Sequence, residues 1–217
     1  MNVEEFPPIA LFEGIGQDRL QNLLDDLHAR IKRYKKGEWI ITEGDAAAEF
    51  GLLLSGQGRV FKLDAMGRAV MITTLHEGSE IGVLLAACPG RRSPVSVQTA
   101  EDSRVLHIAF DRLVAPCEDD GVRERLLRNY TRMVAEKGLM LHERLDCLLK
   151  PTVREKVLAY LQRMSCEKGS RDFTVPLDRN AMSEYLNVER SALSRELSRM
   201  KRDGLIAYRK NAFKLLS

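Results

Sequence analysis

The chain has 217 residues, 44% of them hydrophobic and 30% charged, a composition that excludes a disordered chain and predicts one large domain or two small ones. Its net charge of +3 is unevenly distributed: residues 150–217 carry 15 Lys and Arg against 8 Asp and Glu, a net of +7, whereas the rest carries a net of −4. A basic C-terminal third on a mildly acidic body indicates nucleic-acid contact at one end, although an ordinary basic surface would give the same counts.

The first hundred residues predict a short helix followed by an antiparallel β-domain. The helix pattern within residues 9–29 comes from four leucines, Leu20, Leu23, Leu24 and Leu27. From residue 30 onward, short runs of Val, Ile and Leu end at glycines that are mostly 10 to 12 residues apart, which is typical of a sandwich or barrel. The predicted strands are 39–42, 50–54, 58–62, 70–73 and 103–108.

Residues 119–149 predict one long helix with two adjacent apolar columns. One column recurs every seven residues at Leu127, Val134, Leu141 and Leu148. The other lies one position earlier, at Leu126, Met133, Met140 and Cys147. A seven-residue repeat of this length favours a coiled-coil seam between two copies, and the alternative is a helix that packs only on its own domain. Gly138 then marks either a close approach of helices or a flexible point.

The remaining residues predict a winged helix-turn-helix. Lys150-Pro151 ends the long helix, and residues 152–155 (Thr-Val-Arg-Glu) form a capping box that starts the next one. Two short helices, 178–186 and 190–203, are joined by 187–189, and 205–209 and 212–216 form a hairpin after them. The second short helix has one apolar face, Leu193, Leu197 and Met200, and an opposite face of short hydroxyls and arginines, Ser191, Ser194, Arg195, Ser198 and Arg202. Such a face suits the major groove of DNA.

The cysteines and the N-terminus exclude several other classes. Four cysteines lie about 20 to 30 residues apart without a Cys-x-x-Cys pair: Cys88, Cys117, Cys147 and Cys166. This spacing fits neither a zinc site nor a disulfide framework. The acidic N-terminus with Pro7-Pro8 is not a signal peptide, and no apolar run is long enough to span a bilayer. The chain is therefore predicted to be cytoplasmic, without a bound metal or membrane contact.

This order of parts resembles the Crp/Fnr family over nearly the whole chain. Several short motifs carry the resemblance: Tyr34-Lys-Lys-Gly-Glu38, Glu43-Gly-Asp45, Leu53-Leu-Ser-Gly56 and Asp64-x-x-Gly-Arg68, together with the helix-turn-helix. The resemblance implies an α+β fold with an antiparallel, jelly-roll-like β-roll of the cyclic-nucleotide-binding type, a dimerisation helix and a winged helix-turn-helix. The implied domains are 1–117 for effector sensing, 118–150 for dimerisation and 151–217 for DNA binding.

The resemblance also implies DNA contacts. Readers of base edges fall on Arg190, Ser191, Ser194 and Arg195. Many members have a glutamate in place of Ser191, so the usual family operator is not expected here. Contacts that fix the register on DNA are expected from Arg179, Arg199, Arg209 and Lys210. The implied partners are double-stranded DNA with a palindromic operator, a second copy of the chain, and RNA polymerase.

The expected effector pocket departs from the family pattern. By resemblance it includes Gly82, Val83, Arg91, Arg92, Ser93, Leu141 and His142. Members that bind cyclic AMP hold its ribose with a glutamate where this chain has Val83, which argues against cyclic AMP. The arginines beside Ser93 still suit an anion, so a small anion, an apolar molecule or haem stays open. His76 or His107 as a haem ligand and Cys88 as a redox sensor are further alternatives.

Together these features predict a homodimeric, sequence-specific transcription regulator controlled by an unidentified effector. No constellation of catalytic residues is present in a plausible site, so an enzyme is not expected. The alternative from a different class is a ligand-binding signalling module that acts through protein contacts without an operator.

Overall fold

The computed structural model describes residues 5–64, 66–88, 90–116 and 120–216. Its contacts divide the chain into two compact units, residues 1–135 and residues 136–217, hereafter the N-terminal unit and the C-terminal unit. The predicted border at 117/118 and Cys117 lie outside the described residues, and the three-part functional division stays a prediction. No helix within the described ranges has the length and apolarity that a membrane span requires.

The N-terminal unit is an antiparallel β-roll with short helices. Its helices are α1 (Gln17–Asp26), α2 (Val83–Ala86) and α3 (Phe110–Val114), preceded by a 3-10 turn at Ala10–Phe12. Its strands are β1 (Arg30–Tyr34), β2 (Trp39–Ile41), β3 (Glu49–Ser55), β4 (Gly58–Leu63), β5 (Ala69–Leu75), β6 (Glu80–Ile81), β7 (Ser96–Thr99) and β8 (Ser103–Ala109). The five predicted strands are thus confirmed as β2, β3, β4, β5 and β8, whereas β1, β6 and β7 were not predicted.

Two four-stranded sheets form the roll. Their strand orders are β1-β8-β3-β6 and β2-β7-β4-β5, and every pairing is antiparallel. Successive side chains of β3 and β8 point to opposite faces of their sheet, so each of these strands contributes to two separate cores. Phe50, Leu52, Leu106 and Ile108 pack with the leucines of α1, whereas Leu53 and Val105 pack with Val60 and Val97 of the other sheet.

Helix α4 (Asp120–Leu148) begins in the N-terminal unit and ends in the C-terminal unit. In the N-terminal unit it is held by Leu126 and Met133, which are buried, and by Asn129 Nδ2, which donates to the carbonyls of Leu11 and Glu13 at 3.0 and 2.9 Å. The predicted long helix is therefore confirmed.

The end of α4 packs within the C-terminal unit. Cys147 is buried in the core of that unit. Arg163 Nη1 donates to Glu143 Oε2 at 2.6 Å, and the guanidinium of Arg144 lies 5.3 Å from the centre of the Tyr185 ring. These contacts explain why the division between the units falls inside the helix and not at Lys150-Pro151.

The C-terminal unit is a helix-turn-helix with a three-stranded sheet. Its elements after α4 are α5 (Val153–Lys168), β9 (Asp172–Thr174), α6 (Arg179–Tyr185), α7 (Arg190–Arg202), β10 (Ile206–Arg209) and β11 (Ala212–Leu215). The capping box is confirmed, since the Thr152 side chain accepts from the Glu155 N–H and the Glu155 carboxylate accepts from the Thr152 N–H. The predicted wing is also confirmed, with β9 as its third strand in the order β10-β11-β9.

Candidate DNA-binding surface and effector pocket

Helix α7 buries one face and exposes the other. Leu193, Leu197 and Met200 are buried in the core of the C-terminal unit, as the spacing predicts. The outward face consists of exposed side chains only, namely Arg190, Ser191, Ser194, Arg195, Ser198, Arg199 and Arg202. The predicted base readers therefore lie together on the solvent side of one helix, with cations interleaved with short hydroxyls.

An ion-pair network fixes α7 against α5. Arg154 Nε donates to Glu196 Oε1 and its Nη2 donates to Asp203 Oδ2, both at 2.6 Å. Glu196 is mostly buried, with 12% of its side chain exposed, and it also lies 3.6 Å from Arg199 Nη1. The network connects α7 to α5, and it engages one residue of the outward face, Arg199, in part.

Some polar side chains on the outward face already have a partner within the chain. Ser198 Oγ donates to the Ser194 carbonyl at 3.0 Å, and Ser191 Oγ donates to Glu189 Oε2 at 3.2 Å. Arg190 and Arg195 make no ion pair within the residues that the structure describes. Their guanidinium groups are thus available for an external acceptor such as a guanine edge or a phosphate.

Arg179 lies at the start of α6 and stacks on the wing. Its guanidinium carbon is 5.2 Å from the centre of the Tyr208 ring and 4.8 Å from that of Phe213, and Nη2 donates to the Lys210 carbonyl at 2.7 Å. Burial lowers the pKa of Arg179. The geometry gives this residue a role in holding the wing, and its expected phosphate contact stays a prediction.

The wing tip offers two exposed cations. Arg209 and Lys210 lie at the turn between β10 and β11, and Lys210 has a φ of +52° that the tight turn requires. Both side chains are exposed, which agrees with the contacts to DNA phosphates expected of them.

The predicted effector residues at α2 are used by the fold itself. Gly82 precedes α2 with a φ of +73°, and Val83 is 2% exposed because its side chain packs in the core of the N-terminal unit. Tyr130 Oη donates to the Val83 carbonyl at 2.7 Å, and burial raises the pKa of Tyr130 to about 12. The position that carries a glutamate in cyclic-AMP-binding members is here part of the core.

The arginine–serine pair is tied to a neighbouring loop. Arg92 Nη1 donates to the Gly44 carbonyl at 2.7 Å, and the Ser93 N–H donates to the Asp45 carbonyl at 2.8 Å. Ser93 is buried, with its hydroxyl donating to the Val95 carbonyl, whereas Arg91 is exposed. Of the two other predicted residues, Leu141 and His142 belong to the C-terminal unit and are exposed there.

A cavity of about 850 Å³, which sequence reasoning did not predict, opens to solvent beside β1 of the roll, where Arg30 and Lys32 are exposed. Its lining is Arg30, Ile31, Lys32, Tyr34, Ile40, Ile41, Asp45, Ala46, Ala47, Ala48, Glu49, Gly51, Ile81 and His107. His107 Nε2 is hydrogen-bonded to Tyr34 Oη at 3.0 Å, and its Nδ1 lies 3.9 Å from Glu49 Oε2. Burial lowers the pKa of His107 below its ordinary value.

The described residues contain no group of three or more His, Cys, Asp and Glu side chains that would hold a metal ion. Cys88 and His76 are exposed, and Cys88 lies close enough to Tyr130 to influence its pKa. The haem and redox alternatives stay predictions.

Family models of known proteins match two segments of the chain. The family model described as a cyclic nucleotide-binding domain matches residues 31–120, and that of a Crp-like helix-turn-helix domain matches residues 155–217. The transcriptional activator protein Anr of Pseudomonas aeruginosa is 28% identical over 190 residues, which are 85% of this chain and 75% of that protein. FnrA of Stutzerimonas stutzeri is 28% identical over 193 residues, covering 84% of this chain and 75% of that protein.

The fold is also found in solved structures. The catabolite activator protein of Thermus thermophilus superposes with a TM-score of 0.56 at 17% identity, covering 95% of this chain and 93% of that one. The likeness extends over the β-roll, the long helix and the winged helix-turn-helix and shows that the two proteins share this fold. The chain belongs to the Crp/Fnr family. It is a DNA-binding transcription regulator, and the family is made up of regulators and not of enzymes.

Proposed function

We propose that two copies of the chain bind a palindromic operator. Helix α7 of each copy would lie in the major groove. An effector in the β-roll would control the complex. The observation that carries the operator contact is the outward face of α7, where Arg190 and Arg195 are exposed without an ion pair in the described part of the chain. Arg199, Arg209 and Lys210 add contacts to phosphates. Contact with RNA polymerase and a cytoplasmic location belong to the same proposal.

The dimer is supported by the apolar surface at the end of α4. Leu126, Met133 and Cys147 of one column are buried within the units, whereas several large apolar side chains nearby are exposed. These exposed side chains are Leu139, Met140, Leu141, Leu145 and Leu149. A run of exposed leucines on one helix is a typical protein–protein surface, and the seven-residue repeat favours a second copy of the same helix.

Gly138 lies among these side chains. A methyl group at this position would meet no heavy atom within 4 Å, so the glycine is not required by packing within the chain. Glycine in a helix interior costs about 1 kcal/mol relative to alanine, and a close approach of the partner helix would offset that cost. The position therefore fits the proposed dimer seam.

The operator contact is tested by gel shift and footprinting on DNA upstream of the protein's own gene. We expect protection of two half-sites about one helical turn apart, with an affinity that falls steeply as the salt concentration rises. Binding that is absent or insensitive to salt would instead support a module that acts through protein contacts, an alternative that the family assignment does not favour.

The dimer seam is tested separately by sedimentation. Leu145→Glu places a charge on the proposed seam and should shift the protein from dimer to monomer. Leu63→Glu is the matched control, since Leu63 in β4 is equally exposed, at 51% against 50%, but lies outside the seam. Equal sedimentation of the two variants would contradict a dimer through α4.

A further inference from the structure

We propose that Glu189 is a specificity determinant of the operator contact and that its carboxylate accepts a hydrogen bond from the N4 amino group of a cytosine. The inference rests on the proposed function, because it requires α7 to lie in the major groove. Glu189 lies two residues before Ser191, the position at which many family members have a glutamate. It is not among the base readers that the family resemblance implies.

The first argument is the place of the Glu189 carboxylate. Glu189 is the N-cap residue of α7, with an extended backbone and an exposed side chain. Ser191 Oγ donates to Glu189 Oε2 at 3.2 Å, and Ser191 lies on the outward face of α7. This hydrogen bond holds the carboxylate at the N-terminal end of the outward face. The N-terminal residues of a recognition helix are the ones that contact base edges.

The second argument is that the fold does not use this carboxylate for another purpose. The side chain of an N-cap residue commonly accepts from a free N–H group in the first turn, as Asp178 Oδ1 does in α6 at 2.8 Å. Glu189 makes no such cap, and it makes no ion pair within the part of the chain that the structure describes. The other two acids of α7, Glu196 and Asp203, are both held by Arg154.

The third argument is the sign of the charge. The exposed cations of α7 suit a polyanion, and they are Arg190, Arg195, Arg199 and Arg202. A carboxylate among them is repelled by the phosphates, so it lowers the affinity for every sequence on which it finds no hydrogen-bond donor. A group that weakens binding to most sequences and not to a few acts on specificity.

The chemistry of the major groove determines which base is favoured. A carboxylate only accepts hydrogen bonds, and the donors that base pairs expose in this groove are the amino groups of cytosine and adenine. Adenine presents the acceptor N7 beside its amino group, and N7 repels a carboxylate, whereas cytosine presents no acceptor of its own there. A G·C pair is therefore favoured, and its guanine on the other strand suits an arginine such as Arg190.

The test is selection of bound sequences from a randomised operator library with the full-length protein, followed by affinity measurements on single-base variants. We expect one cytosine in each half-site whose replacement weakens wild-type binding about tenfold, as a mismatched base pair predicts. Glu189→Ala should abolish that preference. Glu189→Gln should change it from cytosine to adenine, because a carboxamide accepts from N6 and donates to N7.

Glu184→Gln is the charge-matched control, since Glu184 is an exposed carboxylate of α6 in the same unit. Both glutamine variants lose one negative charge and should bind all sequences more tightly, but only Glu189→Gln should alter the base preference. Ser191→Ala should reduce the cytosine preference in part, because the carboxylate stays in place without the hydrogen bond that orients it.

Two outcomes would overturn this inference alone. An unchanged sequence preference of Glu189→Ala would mean that the carboxylate does not face a base. A uniform gain in affinity, equal to that of Glu184→Gln, would mean that Glu189 acts through its charge only. A wild-type protein that selects no sequence would overturn the proposed operator and this inference with it, so the two failures are distinguishable.

Discussion

The DNA-binding surface and the β-roll cavity place their polar residues in opposite ways. On α7 the arginines and serines point outward from a helix whose other face is buried, so Arg195 is accessible to any partner. In the roll, the buried Tyr34 and the mostly buried His107 are hydrogen-bonded to each other at 3.0 Å, whereas Lys32 beside them is exposed. The first arrangement suits a partner that is large and rigid, whereas the second leaves these polar groups bonded to each other inside the protein.

The largest effect of a substitution is expected on the buried face of α7. Leu193 is fully buried, so Leu193→Ala should lower the free energy of unfolding of the C-terminal unit by about 2–5 kcal/mol, because a cavity forms in the core. Ser194→Ala, one residue further along on the exposed face, should change it by less than about 0.5 kcal/mol. Urea unfolding followed by circular dichroism measures both. Similar losses in the two variants would mean that the faces of α7 are wrongly assigned.

On the outward face of α7, a substitution of Arg195 is expected to change DNA binding and not stability. Arg195→Ala should weaken operator binding by about 1–3 kcal/mol and relax the preference at one base pair, because arginine binds guanine through two hydrogen bonds. Selection from a randomised operator library measures the change. Arg171→Ala removes an exposed arginine outside α7 and serves as the control. An unchanged sequence preference after Arg195→Ala would place a different residue in the groove.

A smaller effect is expected at the start of α5. Thr152→Ala removes the side chain that accepts from the Glu155 N–H and should cost about 0.5–2 kcal/mol of stability. Thr152→Ser keeps the hydroxyl and should restore most of the loss, as thermal unfolding would measure. A serine variant as unstable as the alanine variant would indicate that the methyl group, and not the cap, contributes the stability.

The smallest effect is expected in the roll and depends on pH. Burial lowers the pKa of His107 from its ordinary value of 6.5, so the unfolded chain takes up this proton more readily than the folded one. The free energy of unfolding is therefore insensitive to His107 above pH 6.5 and decreases as the pH falls below that value. An NMR titration of the imidazole measures the shift, and a pKa at or above 6.5 would contradict it.

Much of the C-terminal unit could be predicted from the sequence, because its signals are local. The spacing of Leu193, Leu197 and Met200 defines the buried face of α7, and the residues from Thr152 to Glu155 define a helix start. The roll cavity could not be predicted in this way. Its walls come from strands far apart in the chain, and β1 is so rich in basic residues that it has no apolar alternation to reveal a strand.

The role of Arg179 shows a further limit of prediction from sequence. An arginine at the start of a helix-turn-helix suggests contact with phosphate, but here its guanidinium stacks on Tyr208 and Phe213. That position depends on how β10 and β11 pair, with Tyr208 opposite Phe213 in the register. Spacing along the chain does not encode such a contact between elements.

The side chains along the proposed α4 seam differ in size, which has a consequence for pairing between related regulators in one cell. Steps of four and three residues along the helix give the positions that the proposed seam would follow: Leu127, Thr131, Val134, Gly138, Leu141, Leu145 and Leu148. Of these, Leu127 and Val134 also pack against the core of the N-terminal unit. In the proposed dimer, two parallel copies in register would place Gly138 against Gly138 and Thr131 against Thr131. A relative with large side chains at either level would meet a crowded or unfilled layer, so subunit exchange should favour pairs of identical chains.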